Sequence, residues 1–374
     1  MEQKHTALLA KAWSGGKLQG YLAPRPGIAD HIVFTDSRDP LLQNLKIRRA
    51  DERMTDRGYE PVLYILDKAS STLYVTSESG KFELPEDASY TFSNWQDLKS
   101  ITGLERIDTS CVKDMRYMFL HDKSLESVDL SRWDTSNVAD LSHMFEFCHS
   151  LTSADLSGWD TDNVLTTERM FLQCGCLKDL NLSGWTCMNV RDMSQMFWDC
   201  HRLEKLDLSS LIGENVQDMA SMFSTCSRLT ELILNHFDSS SLRVASNMFW
   251  NCRSLKNTNF CTWWNTEKLE NASGMFYGCE SLESANLNGW DTSNMVTFYR
   301  MFEGCKNLES VKMPAASTAQ HPGTKEMFEG CESLKEVVLP RHPMAARSLK
   351  KVAAERIAMN DQAKNKDRDA DTLK

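Results

Sequence analysis

The sequence predicts an α/β repeat solenoid, a parallel sheet of about nine coils of 26 residues with a cap at each end. Two observations predict it. The dipeptide Met-Phe recurs at Met118-Phe119, Met144-Phe145, Met170-Phe171, Met196-Phe197, Met222-Phe223, Met248-Phe249, Met275-Phe276, Met301-Phe302 and Met327-Phe328. The spacing is 26 residues, with one step of 27 from Met248 to Met275. Other residue types recur in register around each pair. A fixed period of a few tens of residues marks a stacked array, because one unit is too small to bury its own apolar face.

The strand follows Met-Phe. Leu125, Leu151, Leu177, Leu203, Leu229, Leu255, Leu282, Leu308 and Leu334 head a Leu-x-x-Φ-x-Leu pattern, ending at Leu130, Leu156, Leu182, Leu208, Leu234, Phe260, Leu287, Met313 and Leu339. This is the strand segment of a leucine-rich repeat, and its closing alternation suits a short strand buried on one face. An aromatic column follows, with Trp133, Trp159, Trp185, Phe237, Trp263 and Trp290, and then a turn such as Asp134-Thr135-Ser136-Asn137. Asp, Ser and Asn there bond nearby amides. Val138, Val164, Val190 and Val216 turn the chain inward, and one short helix per coil is expected between them and Met-Phe.

The unit Leu-x-x-Φ-x-Leu-Ser-x-Trp-Asp-Thr-Ser-Asn-Val-x-x-(Met/Leu)-x-x-Met-Phe-x-x-Cys resembles the bacterial surface-protein-A type of leucine-rich repeat, common in mycoplasma-type surface lipoproteins. The likeness covers roughly residues 92–340. It implies a protein-binding module of a bacterial host- or cell-interaction protein, adhesin- or effector-like, on the cell surface or secreted. The chain departs from the pattern at Ser210-Leu211-Ile212-Gly213 and after Met301, where the Trp-Asp-Thr-Ser-Asn turn is lost.

The flanks differ from the repeats. Residues 1–58 show no period, and a short helix starting over residues 8–13 is the element expected there. Residues 59–110 read as a β-hairpin and a degenerate first repeat: residues 61–66 and 72–75 flank Asp67-Lys68-Ala69-Ser70-Ser71, and residues 82–84 form a further strand. They cap the sheet edge, since a bare edge invites aggregation. Residues 111–340 are the solenoid. Residues 341–374 form a C-terminal helix, with Leu349, Val352, Ala353 and Ile357 on one face, and a polar tail expected to be disordered from Asn360.

A net charge of −10 argues against nucleic acid as a general partner. The basic residues 341–374 carry +4, leaving −14 on the rest. No run is long and apolar enough to span a bilayer, and the N-terminal residues lack a signal peptide's apolar core, so a cytoplasmic product or a leaderless export route is expected. Eight of the twelve cysteines form a column, Cys148, Cys174, Cys200, Cys226, Cys252, Cys279, Cys305 and Cys331. They are expected as reduced core thiols, and Cys111, Cys176, Cys187 and Cys261 as the more accessible ones.

Two surfaces are candidate binding sites for a protein partner. One is the outward column of the strands, Asp129, Asp155, Asn181 and Asp207, which suits a basic partner or is simply solvated. The other directly follows Phe: Leu172, Trp198, Trp250 and Tyr277, among Glu146, Glu303 and Glu329, which imply that the column faces water. Trp264, beside the extra residue of the 27-residue repeat, is expected to be exposed with them. Aromatic residues with a polar rim are a protein-interface composition. No nucleophile triad, phosphate loop, metal motif or dinucleotide fingerprint is present. The reading is therefore a monomeric protein-interaction module, not an enzyme, without cofactor or metal. The alternative is a cytoplasmic assembly or regulatory scaffold; a small enzymatic activity in residues 1–58 ranks behind both.

Overall fold

The structure, a computed structural model, describes residues 7–8, 29–42, 63–234, 236–314, 323–339 and 346–372. It divides into two compact units, Met1–Cys187 and Met188–Lys374.

In the first unit, β1 (Ala7–Leu8), β5 (Phe82–Glu83) and β7 (Ile107–Asp108) form a three-stranded parallel sheet. The main sheet adds β2 (His31–Asp36), β3 (Leu63–Asp67), β4 (Thr72–Ser77), β6 (Ser100–Thr102), β8 (Ser127–Asp129), β9 (Ser153–Asp155) and β10 (Asp179–Asn181), in the order β10-β9-β8-β6-β2-β4-β3. β3 and β4 form the expected hairpin. β2 lies between β4 and β6, parallel to both. Its Phe34 meets Phe82 and Phe92 edge-on at 5.2 and 6.1 Å, covering the start of the core. Residues 1–58 thus supply a strand that their lack of period did not reveal; the helix expected over residues 8–13 lies almost wholly outside the described residues, and Leu8 itself is in β1.

In the second unit, β11 (Lys205–Asp207) pairs with β12 (Glu231–Ile233), and β13 (Ser284–Asn286), β14 (Ser310–Lys312) and β15 (Glu336–Val338) form a separate parallel sheet. The 27-residue coil falls between the two sheets. It replaces its strand with a 3-10 turn, Asn259–Cys261, and Thr258 Oγ1 accepts the Asn286 amide at 3.2 Å in place of a backbone partner.

The helix expected in each coil is absent among the described residues. Turns replace it, because each coil holds two left-handed residues: Tyr117 and His121 (φ 57° and 63°), then His143 and Phe147 (59° and 63°), and in later coils Ser221 and Thr225, or Gly274 and Gly278. Left-handed L-residues interrupt any helix. The alternation aligns the peptide planes. Met115, Tyr117, Phe119 and His121 donate to the carbonyls of Asp140, Ser142, Met144 and Glu146 at 2.8–3.1 Å, all toward the next coil.

On this ladder the Phe rings stack, at 5.1–5.3 Å from Phe92 to Phe171 and 5.3–5.9 Å from Phe197 to Phe328. Each column thiol for which a bond is resolved donates to the Phe carbonyl one coil back, as Cys148 Sγ does to Phe119 O at 3.1 Å and Cys252 Sγ to Phe223 O at 3.0 Å. Burial pushes such thiols up, to about 12 for Cys331. All twelve cysteines are free; Cys187 and Cys261, expected to be accessible, are buried, and only Cys111 and Cys176 are half-buried. Cys187 occupies the buried Thr position of its turn, where its amide donates to Thr161 Oγ1, and Cys261 is carried inward by the 3-10 turn. In the first full coil Asp122 takes the thiol's place. It is fully buried; Oδ1 accepts the Trp95 amide at 2.7 Å, Oδ2 has no partner, and burial pushes the carboxyl well above its usual range.

The Asp-Thr-Ser-Asn turn divides its labour. Asp134 Oδ1 accepts the Ser136 amide at 3.0 Å, Thr135 Oγ1 donates forward to Asp160 O at 2.9 Å, and Asn137 Nδ2 donates back to Ser110 O at 2.8 Å. The Trp column adds another link backward: Trp133, Trp159 and Trp185 Nε1 donate to Leu104, Leu130 and Leu156 O at 2.8–3.2 Å.

The chain's described α-helix, α1 (Ala346–Thr372), packs Leu349 and Ala353 inward, with Val352 and Ile357 half-buried. Arg356 Nε and Asn360 Nδ2 donate to Cys331 O at 3.1 and 2.9 Å. It continues past Asn360, where a disordered tail was expected: residues 346–372 contain neither Gly nor Pro and are rich in good helix formers.

Candidate protein-binding surfaces

The acidic strand face is largely engaged in holding corners. Asp129 and Asp155 are neighbours in register, as are Asp155 and Asn181, and all are exposed. Yet Asp129 and Asp155 each accept the amide of the Ser two residues on at 3.1 Å, as does Asn181, and Asp207 does so at 2.9 Å. Hydrogen bonds from Ser131, Ser157 and Ser209 hold the Asp129, Asp155 and Asp207 carboxyls below their usual range. On the second unit's strands, Lys205 and Glu231 pair at 2.8 Å and neutralise one another. Among the described residues no cluster of His, Cys, Asp or Glu could hold a metal ion, and no helix is long and apolar enough to cross a membrane.

The column after Phe differs between the units. In the first, Leu172 is buried at 3% exposure, so it offers no docking surface, contrary to expectation. Glu146 is buried as well, against the inference that glutamates mark this column as water-facing; its Oε2 lies 2.5 Å from His143 Nδ1. That imidazole continues a stack with Tyr117 at 4.5 Å, and Tyr117 stacks on Tyr90 at 4.7 Å. These planar residues occupy the left-handed position two residues before the stacked Phe, a column the sequence pattern did not single out. Side chains repeated at coil spacing pack best when flat, and that is the only signal the sequence carried for them.

In the second unit, Trp198 is 37% exposed, and Trp250 and Tyr277 are half-buried. Trp250 meets Tyr277 edge-on at 5.0 Å, and its Nε1 is buried without a partner. The Arg300 guanidinium lies over both Tyr277 and Tyr299, at 5.0 and 5.7 Å. Glu303 grips Arg300 through both oxygens, which raises the guanidinium's pKa, and Glu326 lies 3.5 Å from it. Tyr299 completes the group by donating to Glu326 at 3.1 Å. The structure thus joins Trp250 and Tyr277 to Arg300 and Tyr299, which sequence reading missed. Trp198 stands two coils before Trp250, with buried Ser224 between them in the column.

Trp264 does not belong to this surface. It is buried at 4% exposure and fills the Trp column, stacking on Trp290 at 6.4 Å; its neighbour Trp263 is 90% exposed instead. The extra residue of the coil precedes Trp264, so the displaced ring is Trp263. The shift also leaves Trp264 Nε1 without the backward bond that Trp290 makes to Cys261 O at 3.0 Å.

Stacked parallel strands, a Leu-x-x-Φ-x-Leu strand motif and repeated corners define a leucine-rich-repeat solenoid. Within that class, the chain belongs to the family described as Mycoplasma protein of unknown function, DUF285, which matches residues 86–197, 177–263 and 256–342. No curated protein matches it. Solved structures similar to it include a leucine-rich cell surface protein from Faecalibacterium prausnitzii, at 15% identity over 73% of this chain and 86% of that one, TM-score 0.30. Another is a leucine-rich-repeat protein of Leptospira interrogans, at 13% identity over 69% of this chain and 77% of that one, TM-score 0.25.

Proposed function

We propose that the chain is a protein-interaction module without chemistry of its own, and that its partner binds the aromatic surface of the second unit. Trp198, Trp250 and Tyr277 contact the partner, and Arg300 and Tyr299 extend the surface. The carrying observation is the Trp250–Tyr277–Arg300–Tyr299 cluster. It gathers the residue types that dominate interface energetics, partly exposed, in a fold that buries most of its other aromatic rings. The acidic face of Asp129, Asp155, Asn181 and Asp207 ranks second, because its carboxylates already serve their own turns.

The biological setting we favour is a bacterial cell- or host-interaction protein. The alternative, a cytoplasmic assembly or regulatory scaffold, is favoured by twelve free cysteines, which suit a reducing compartment. The test is capture of partners from bacterial lysate and from host-cell extract, with wild type against Trp198→Ala/Tyr277→Ala. A partner held by wild type and weakened at least about 30-fold by the variant supports the surface, since a hot-spot truncation costs about 2 kcal/mol or more. Undiminished capture rejects it. The source of the captured partner separates the two settings.

A further inference from the structure

The turn between the last strand Leu and the aromatic column takes the same form in three coils that carry Gly there. Ser157-Gly158-Trp159, Ser183-Gly184-Trp185 and Asn288-Gly289-Trp290 each follow a Leu whose carbonyl accepts the Trp amide, at 3.1, 3.1 and 3.0 Å. The first residue of each turn donates its own amide to the side-chain oxygen two residues back, of Asp155, Asn181 or Asn286, at 3.1–3.2 Å. Gly suits these turns because a side chain there is crowded. A Cβ would stand 3.2, 3.3 or 3.0 Å from the carbonyl of Ser131, Ser157 or Thr262 in the preceding coil, tightest at Gly289. The residue before the Gly is Ser in two of these coils and Asn in the third.

Asn288-Gly289 is the chain's single Asn-Gly pair, and both residues are exposed. Asn is a chemically labile residue, and Gly is the neighbour that protects it least. Without a side chain, Gly leaves its amide nitrogen open to the preceding carboxamide, and its backbone adapts most easily to the ring that forms. The hydrogen bond that closes the turn uses the amide of Trp290 rather than that of Gly289.

We propose that Asn288 is a self-modification site, whose spontaneous deamidation loosens its own coil. The Gly289 nitrogen gives up its proton and attacks Asn288 Cγ. The new C–N bond closes a cyclic imide, and the side-chain nitrogen takes a proton from water and leaves as ammonia. A second water opens the imide at either carbonyl. One opening gives aspartate at position 288; the other gives isoaspartate, in which Cβ has entered the main chain. Either product adds a carboxylate to a chain of net charge −10. Isoaspartate also lengthens a turn that is held at several points. Trp290 is 2% exposed, donates its backbone amide to Leu287 O and its Nε1 to Cys261 O, both at 3.0 Å, and stacks on Trp264 at 6.4 Å. An added main-chain carbon breaks one of these links or draws the indole out of its column.

The test incubates the full chain over a series of neutral to mildly alkaline pH values and follows its peptides by mass spectrometry, with isoaspartate scored by enzymatic methylation. Folded wild type, wild type in urea and Asn288→Ser run in parallel. The variant reproduces the turns of Ser157 and Ser183, and its melting temperature before incubation is checked against the parent. The expected result is that position 288 is the first Asn of the folded chain to gain the mass of an acid, faster as pH rises. The isoaspartate form, separated by ion exchange, should melt below the parent, and Asn288→Ser should keep its melting temperature through the same incubation. Conversion in urea but not in the folded chain overturns the proposal, since the fold then protects the site. A separated isoaspartate form that melts with the parent overturns the loosening.

Discussion

Asp122 stands where later coils place a thiol, and this makes it a pH-dependent weak point. Its folded-state pKa is raised above the ordinary 3.8 by burial, so the folded chain binds a proton that the unfolded chain has released. Stability is then lost as pH rises above about 4, by about 1.4 kcal/mol for each pH unit until the folded-state pKa is reached. Asp122→Asn keeps an acceptor for the Trp95 amide and cannot ionise. We expect its advantage over wild type to be small at pH 4 and to grow as pH rises until the folded-state pKa is reached, read from melting temperatures in a pH series; a constant difference would rule this out. A second residue-scale strain lies at Thr225, a β-branched residue held at φ 61°. The equivalent position one coil later is Asn251, a residue type that tolerates this region. Thr225→Asn should stabilise by about 1 kcal/mol in chemical denaturation. Neither site was legible beforehand. Asp122 sits in the cysteine column as its single acidic member, a difference that the repeat pattern alone does not mark as buried, and left-handed backbone leaves a trace only where Gly replaces other residues, as at Gly278, Gly304 and Gly330.

At the scale of elements, the strands and the C-terminal helix were readable, and the turns that replace a helix in each coil were not. The Leu-x-x-Φ-x-Leu pattern carries its own period, so β8 to β15 fall where the pattern puts them, except where the 27-residue coil gives up its strand. The segment before Met-Phe has apolar residues at helical spacing, and that spacing serves a succession of corners equally well. For the thiol column, hydrogen bonding to backbone carbonyls and burial predict silence toward alkylating reagents. In the native state Cys111 and Cys176 should react, and the other ten only on unfolding; fast labelling of more than two thiols would contradict the burial. Removing α1 by ending the chain before Ala346 should uncover the last coil and lead to aggregation on concentration, visible by light scattering, because an end coil without a polar cover exposes core.

On the scale of the whole chain, every resolved link joins a coil to its nearest neighbours, through Phe stacking, thiols, turn Thr and Asn, and the aligned amides. Stability of such an array is a sum of local terms. Deleting residues 197–222 joins Met196 to Phe223 and restores the Met-Phe register with one coil fewer. We expect a folded product with an unchanged far-ultraviolet circular dichroism shape and a lower melting temperature; loss of structure would show that coils depend on more than their neighbours. The proposed binding surface was half legible at this scale. Trp198, Trp250 and Tyr277 were visible as a column, but Arg300 and Tyr299 join them from other columns, and only folding reveals which columns adjoin.

The 27-residue coil shows where such a chain can change its length. Its extra residue is absorbed on the strand side, while Phe249 still stacks on Phe276 at 5.6 Å and Cys279 Sγ still reaches Phe249 O at 3.2 Å. The phenylalanine side is the spine, and the strand side is the hinge of variation. Descendants of an ancestral repeat can acquire insertions there, and with them new protruding side chains such as Trp263, without disturbing the order of the array. Length can therefore change on that side of the array while the stacked Phe side keeps its order.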